Sequence, residues 1–94
     1  MNLMAQDKYK LSGKVADAIN GEPLIGAAIT YAEGKGTVTD FDGNYQLELE
    51  SGSYDITVSY VGFEKSEYKV DLTGGSQILN ILLESVTMKE VTVV

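Results

Sequence analysis

The chain has 94 residues, carries a formal charge of −7 from 7 lysines and 14 carboxylates, and lacks cysteine, histidine, arginine and tryptophan. One domain with one modest core is expected at this length. The composition excludes disulfides, thiolate or imidazole metal sites and histidine-activated nucleophiles. The negative charge disfavours a phosphate-backbone partner.

No apolar run approaches the ~20 residues of a membrane helix. The opening residues, with Leu3, Met4 and the small Ala5 ahead of Gln6, read as the stub of a signal peptide or as a vector-derived start. Residues 1–8 are accordingly expected to be disordered and no part of the fold. Residues 9–84 form the domain, and residues 85–94 a C-terminal strand or linker.

Period-two alternation begins at Tyr9. Tyr9, Leu11, Gly13 and Val15 share one face, and Lys8, Lys10, Ser12 and Lys14 the other. Asn20-Gly21-Glu22-Pro23 breaks this strand, and Ile25, Ala27, Ile29 and Tyr31 form the next inward set. After Glu33-Gly34-Lys35-Gly36, Thr37-Val38-Thr39 makes a short strand. Asp40-Phe41-Asp42-Gly43-Asn44 then leads into the cleanest alternation, with Tyr45, Leu47 and Leu49 opposite Gln46, Glu48 and Glu50. Ser51-Gly52-Ser53 connects to Tyr54, Ile56, Val58 and Tyr60, and Gly62-Phe63 interrupts that run. Tyr68, Val70 and Leu72 follow, closed by Thr73-Gly74-Gly75-Ser76. Residues 77–83 are apolar on both faces, as a strand covered on both sides would be. Seven short strands at turn spacings near ten residues predict an all-β sandwich or barrel.

Few of these residues are placed for chemistry. Asp40, Asp42 and Asn44 imitate the opening of a calcium loop. That loop requires glycine at its sixth position and glutamate at its twelfth, where this chain has Tyr45 and Ser51. A β-turn is the better reading, and no metal or cofactor is expected. Glu48, Glu50, Glu64 and Glu67 fall on solvated positions, without the burial that would split two carboxylate pKa values. The six tyrosines are candidates for a sugar-binding strip, but most fall on inward positions and read as core. Phe41 and Phe63 lie in turns and are the candidates for exposed contact.

The order of these pieces resembles the carboxypeptidase regulatory-like domain, a transthyretin-like seven-stranded sandwich with Greek-key character. Ser12-Gly13-Lys14-Val15 with Gly21 to Ala27 carries the resemblance first. The stretch from Gly36 to Tyr45, then Gly52-Ser53-Tyr54, then Ser59-Tyr60-Val61-Gly62-Phe63 complete it. Leu83-Glu84 followed by residues 88–94 looks like the join between such a domain and the plug of SusC/RagA-type TonB-dependent outer-membrane receptors of Bacteroidetes. Glu90-Val91-Thr92-Val93-Val94 is similar to a TonB box, the segment gripped by an energising periplasmic protein. A β-branched strand of this kind suits addition to a sheet edge; the plain alternative is one more strand or a linker.

The resemblance implies a non-enzymatic accessory domain on the periplasmic side of the outer membrane. Its partners would be a periplasmic TonB-type protein and the plug and barrel of its own parent chain, which imports large solutes such as glycans or peptides. Family members continue past this point, so the chain is expected to be a fragment. Two other readings stand beside it: a module flanking a secreted metallocarboxypeptidase, and a surface carbohydrate-binding or adhesion module. Some similar surface sandwiches join a lysine to an asparagine beside an acid. Lys14, Asn80 and Glu48 would take those roles, but all three alternate outward.

Overall fold

A computed structural model describes residues 8–86. Among these residues eight strand segments follow one another with no intervening helix: β1 (Lys8–Asp17), β2 (Ala28–Ala32), β3 (Lys35–Val38), β4 (Asn44–Glu50), β5 (Ser53–Ser59), β6 (Ser66–Asp71), β7 (Gln77–Ile78) and β8 (Ile81–Leu83). They form two sheets. The first holds β4, β1 and then β7 and β8, which both pair in parallel with β1. The second has the order β3-β2-β5-β6, antiparallel throughout. The chain therefore changes sheet at β1–β2, β3–β4, β4–β5 and β6–β7, and the all-β sandwich read from the sequence is the observed fold.

The alternation explains the packing. Leu11 and Val15 of β1, Tyr45, Leu47 and Leu49 of β4, Ile29 of β2, and Ile56 and Val58 of β5 are all buried between the sheets. Leu72, Ile81 and Leu83 complete the core. Outside the first sheet, Lys8 stands opposite Glu50 and Lys10 opposite Glu48, an arrangement of opposite charges that favours this register. β1 opens at Lys8, one residue before the expected boundary.

Two expectations are corrected. Residues 77–83 are not one strand covered on both faces. The run is split at Leu79 and Asn80, and Ile78 and Leu82 are 75% and 60% exposed while Ile81 and Leu83 are buried. With β7 and β8 lying along one side of β1, the two segments share a single strand position, which reconciles eight segments with seven expected strands. Ile25 is not inward either. It sits in a turn and is 49% exposed, while Leu24 and Ala27 on either side are buried. The strand begins only at Ala28, so strand alternation does not reach back to Ile25.

Candidate interaction surface

The two ends of the sandwich differ. Strand directions bring residues 18–27, 39–43 and 60–65 to the end from which the chain leaves after β8. We call this the exit end. The opposite end carries the short β2–β3 and β4–β5 turns and residues 72–76.

The exit end is held by Thr39, the one buried polar residue among those described. Its hydroxyl donates to the Leu24 carbonyl and accepts from the Ala27 N–H at 2.8 Å. Its own N–H donates to Ala27 O at 2.9 Å, and Gly26 N–H donates to Thr39 O at 3.1 Å. The side chain and backbone of one residue thus satisfy the polar groups around the buried Leu24 and Ala27. This residue was missed in the sequence; the only signal was a threonine at a position whose alternation pointed inward.

Next in the chain, Asp40 does what a turn-forming aspartate does. Its carboxylate accepts from Asp42 N–H and Asn44 N–H, both at 2.9 Å, and Gly43 N–H donates to Asp40 O. This is the Asx-turn arrangement, with the aspartate bonding backbone a few residues ahead. Gly43 has φ 79°, and a Cβ there would lie 2.8 Å from both Pro23 Cβ and Val15 O. The turn is thereby pinned against β1, and Phe41 at its tip is 83% exposed.

Phe63 behaves otherwise. As a contact candidate it is corrected: its ring is half-buried against the core and 5.5 Å from the Tyr60 ring, and its backbone bridges Ser85. The turn signal in Gly62-Phe63 belongs to the preceding residues. Phe63 N–H donates to Tyr60 O, Gly62 takes φ 86°, and Val61 at the tip is 87% exposed. Around this turn the departing chain is fastened, with Glu64 N–H to Glu84 O at 2.8 Å and Val86 N–H to Gly62 O at 2.9 Å. Glu90, Val91, Thr92, Val93 and Val94, the TonB-box-like segment, lie outside the described residues.

A second missed device closes the first sheet. Leu79 interrupts β7 and β8, its N–H donates to Ser12 O, and its carbonyl accepts from the Tyr45 hydroxyl at 2.6 Å. A Cβ on Gly13 would lie 1.9 Å from that same carbonyl, so only glycine fits beneath it. Asn80 Oδ1 accepts from the Lys14 backbone N–H at 3.0 Å, and Glu48 stands opposite Lys10. Burial, with repulsion from the nearby Tyr68 phenol, pushes the Tyr45 hydroxyl up to about 12. It stays protonated and donating at neutral pH.

All six tyrosines are buried or packed against the core, Tyr45 fully and the other five in part. The exposed large apolar residues at the exit end are Ile19, Ile25, Val38, Phe41, Val61 and Val86, and they stand among the exposed Glu22, Asp40, Asp42, Glu64 and Lys65. The arrangement is a set of exposed apolar side chains on a hydrogen-bonded frame.

The sequence matches the family model of the CarboxypepD_reg-like domain over residues 11–94. The chain belongs to this family. This CarboxypepD_reg-like domain is 37% identical over 87 residues to the TonB-dependent receptor SusC of Bacteroides thetaiotaomicron, a match covering 89% of the chain and 8% of the receptor. It is also 34% identical over 70 residues to Bacillopeptidase F of Bacillus subtilis, covering 71% of the chain and 5% of that protein. Among solved structures, a putative membrane-associated protein of unknown function from Bacteroides fragilis superposes with a TM-score of 0.64. That comparison runs at 26% identity over 92% of this chain and 31% of the other. The domain thus spans a small fraction of each relative. Within residues 36–45, Thr39, Asp40, Gly43 and Tyr45 each hold the frame, and Phe41 is exposed on it.

Proposed function

We propose that this CarboxypepD_reg-like domain is a non-enzymatic accessory domain of a TonB-dependent outer-membrane receptor, standing on the periplasmic side and acting by protein–protein contact. The observation that carries the reading is the 37% identity to SusC along 89% of the chain. The architecture supports it. Thr39, Asp40, Gly43 and Tyr45 serve the frame, and most of the exposed large apolar residues gather at the end where Val86 is fastened to Gly62. Residues 90–94 serve as the strand that a periplasmic TonB-type protein takes up by main-chain hydrogen bonding. The parent chain imports large solutes such as glycans or peptides. Bacillopeptidase F carries a similar stretch in a different setting, so the fold alone does not assign the role.

The test is made in the parent receptor. Replacing Val91 and Val93 by proline removes two N–H donors from the proposed partner strand. Solute uptake should be lost while the melting temperature of the domain stays unchanged. Uptake at the unmodified rate would overturn the assignment of residues 90–94.

A further inference from the structure

Four strand edges bound the two sheets, and they differ in what they can pair with. β3 has four residues and shifts register against β2, and β7 and β8 are interrupted at Leu79 and Asn80. β4 and β6 are the longer, unbroken edges. Main-chain groups along a strand point alternately to its two sides, so one bond fixes the others. On β4, Gly43 O accepts from Val15 N–H, which turns the main chain of Tyr45, Leu47 and Leu49 toward β1 and leaves that of Gln46 and Glu48 on the free side. On β6, Leu72 N–H donates to Gly52 O, which sets the groups of Ser66, Tyr68 and Val70 toward β5. Asp71 O faces the other way and accepts from the Gln77 side-chain amide at 3.2 Å. The N–H and C=O of Glu67 and Lys69 therefore point out along β6, where no strand lies beside them among the described residues.

Side chains decide which edge can meet a copy of itself. β4 offers Gln46, Glu48 and Glu50 with no cation, so two such edges present like charges. β6 offers Glu67 and Lys69, with Lys65 before them and Asp71 after, all exposed. Let a second β6 lie antiparallel against the first, with the two-fold axis at Tyr68. Glu67 then stands opposite the second copy's Lys69, and Lys65 opposite the second copy's Asp71, each pair occurring twice. All four facing pairs are of opposite charge, which favours strand pairing. A slip of two residues either way sets Glu67 against Glu67 or Lys69 against Lys69, so the charges specify one register. On the inner face Tyr68 meets Tyr68, flanked by Ser66 and Val70, and all three are half-buried until that edge is covered. We infer that β6 is a self-complementary edge to which a second copy of this chain adds, joining two four-stranded sheets into one continuous sheet. Glu67 and Lys69 exchange main-chain bonds and face each other as charges across the two-fold. The formal charge of −7 on each copy opposes approach, but salt at about 0.15 M screens it beyond about 8 Å, while charges in contact are screened less.

Sedimentation equilibrium of the 94-residue chain should show a monomer–dimer equilibrium at concentrations up to about 1 mM, since one strand per copy makes a small and weak interface. Lys69→Glu sets two acidic pairs across the two-fold and Glu67→Lys two basic ones, and each should weaken the dimer at least about tenfold. The double variant Glu67→Lys/Lys69→Glu restores opposite pairs and should dimerise as the unmodified chain does. Mixing the two single variants should yield a heterodimer where neither associates alone. Both positions are exposed, and melting curves at low concentration check that each variant folds. Because the chain contains no cysteine, a disulfide reads the register. Tyr68→Cys, at the two-fold, should oxidise to a linked dimer, because directly facing residues of this kind have Cα atoms about 4.5 Å apart. Ser66→Cys, which faces Val70, should not. If Tyr68→Cys fails to fold, Ser66→Cys mixed with Val70→Cys gives the same reading. A chain that stays monomeric would overturn the proposal and leave the edge to a strand from another protein. A dimer indifferent to the single reversals, or not restored by the double one, would overturn β6 as its interface. These measurements need no receptor or TonB-type protein, so their failure and that of the proline test are read separately.

Discussion

The two ends of this sandwich solve the same problem, turning the chain between sheets, in different ways. At the opposite end much of the closing is done by neighbours in sequence, with Leu72 N–H to Gly52 O and Lys10 N–H to Ser76 Oγ, both at 2.8 Å, as longer-range ties. Tyr54 donates its hydroxyl to Glu50 O at 2.6 Å, and Thr73 donates both its N–H and its hydroxyl to the Asp71 carboxylate. At the exit end the closing bonds run between segments distant in the chain: Thr39 to Leu24 and Ala27, Val15 to Gly43, Ala18 to Leu83, and Val86 to Gly62. The first kind of end is the more local. The second carries more ties between distant segments, and most of the exposed large apolar residues stand there, Ile78 being outside it. Long-range hydrogen bonding and exposed apolar side chains thus coincide at one end.

The sharpest way to break the contrast is at the glycines of the interlocked parts. Gly13→Ala places a methyl against the Leu79 carbonyl, which is backbone and is held by Tyr45. The β7–β8 segment must move, and a loss of about 3 kcal/mol or more is expected in chemical denaturation. At Gly74, where a Cβ meets open space and φ is ordinary, alanine should leave stability unchanged or slightly raised.

Thr39→Val comes next. It keeps the volume but strands the Ala27 N–H and the Leu24 carbonyl in the interior, at a cost of about 2–4 kcal/mol. Thr39→Ser should recover most of this, because the hydroxyl alone makes both bonds. Equal losses for valine and serine would show that the methyl, rather than the hydroxyl, matters.

Tyr45→Phe should cost about 1 kcal/mol at neutral pH through the bond to Leu79 O. It also leaves a pH signature. The folded-state hydroxyl titrates at about 12, above its ordinary value of 10.0. The unfolded chain therefore loses this proton first. The contribution is complete below pH 10 and falls away as pH rises from 10 toward 12. Unfolding curves across that window should fall more steeply for the unmodified chain than for Tyr45→Phe. Parallel curves would mean that the phenol is not held in the interior.

The smallest effect belongs to the charged face away from the exit end. Lys69 Nζ lies 3.2 Å from Asp55 Oδ1, with both side chains well exposed. Lys69→Ala should change stability by no more than about 0.5 kcal/mol, and added salt should erase the difference. The Asp71 carboxyl nearby is held below the usual carboxylate range by the Thr73 hydroxyl and N–H. Its small contribution is present above the ordinary carboxylate pKa and fades as acid is added.

The strands that alternate cleanly were legible from composition and period. Leu11 and Val15, Tyr45, Leu47 and Leu49, and Ile56 and Val58 are buried as the pattern requires. Reading failed where the period stops. Ile25 continued an alternation on paper across a turn that the backbone does not extend through. Residues 77–83 were apolar on both faces, yet Ile78 and Leu82 face out because nothing among the described residues is packed over that edge. Phe63 shared a turn motif with Val61, and only the fold decided which of the two projects.

What the sequence by itself determined is the two-residue period, the turn residues and the family motifs, because these depend on neighbours a few positions apart. Local steric and hydrogen-bonding rules suffice for that. Why Gly13 must be glycine, why Thr39 is buried and why apolar side chains collect where the chain departs were decided only by the tertiary structure. Each rests on a contact between segments far apart in the chain, Gly13 with Leu79, Thr39 with Leu24, Val86 with Gly62, and no local rule specifies which distant backbone will arrive.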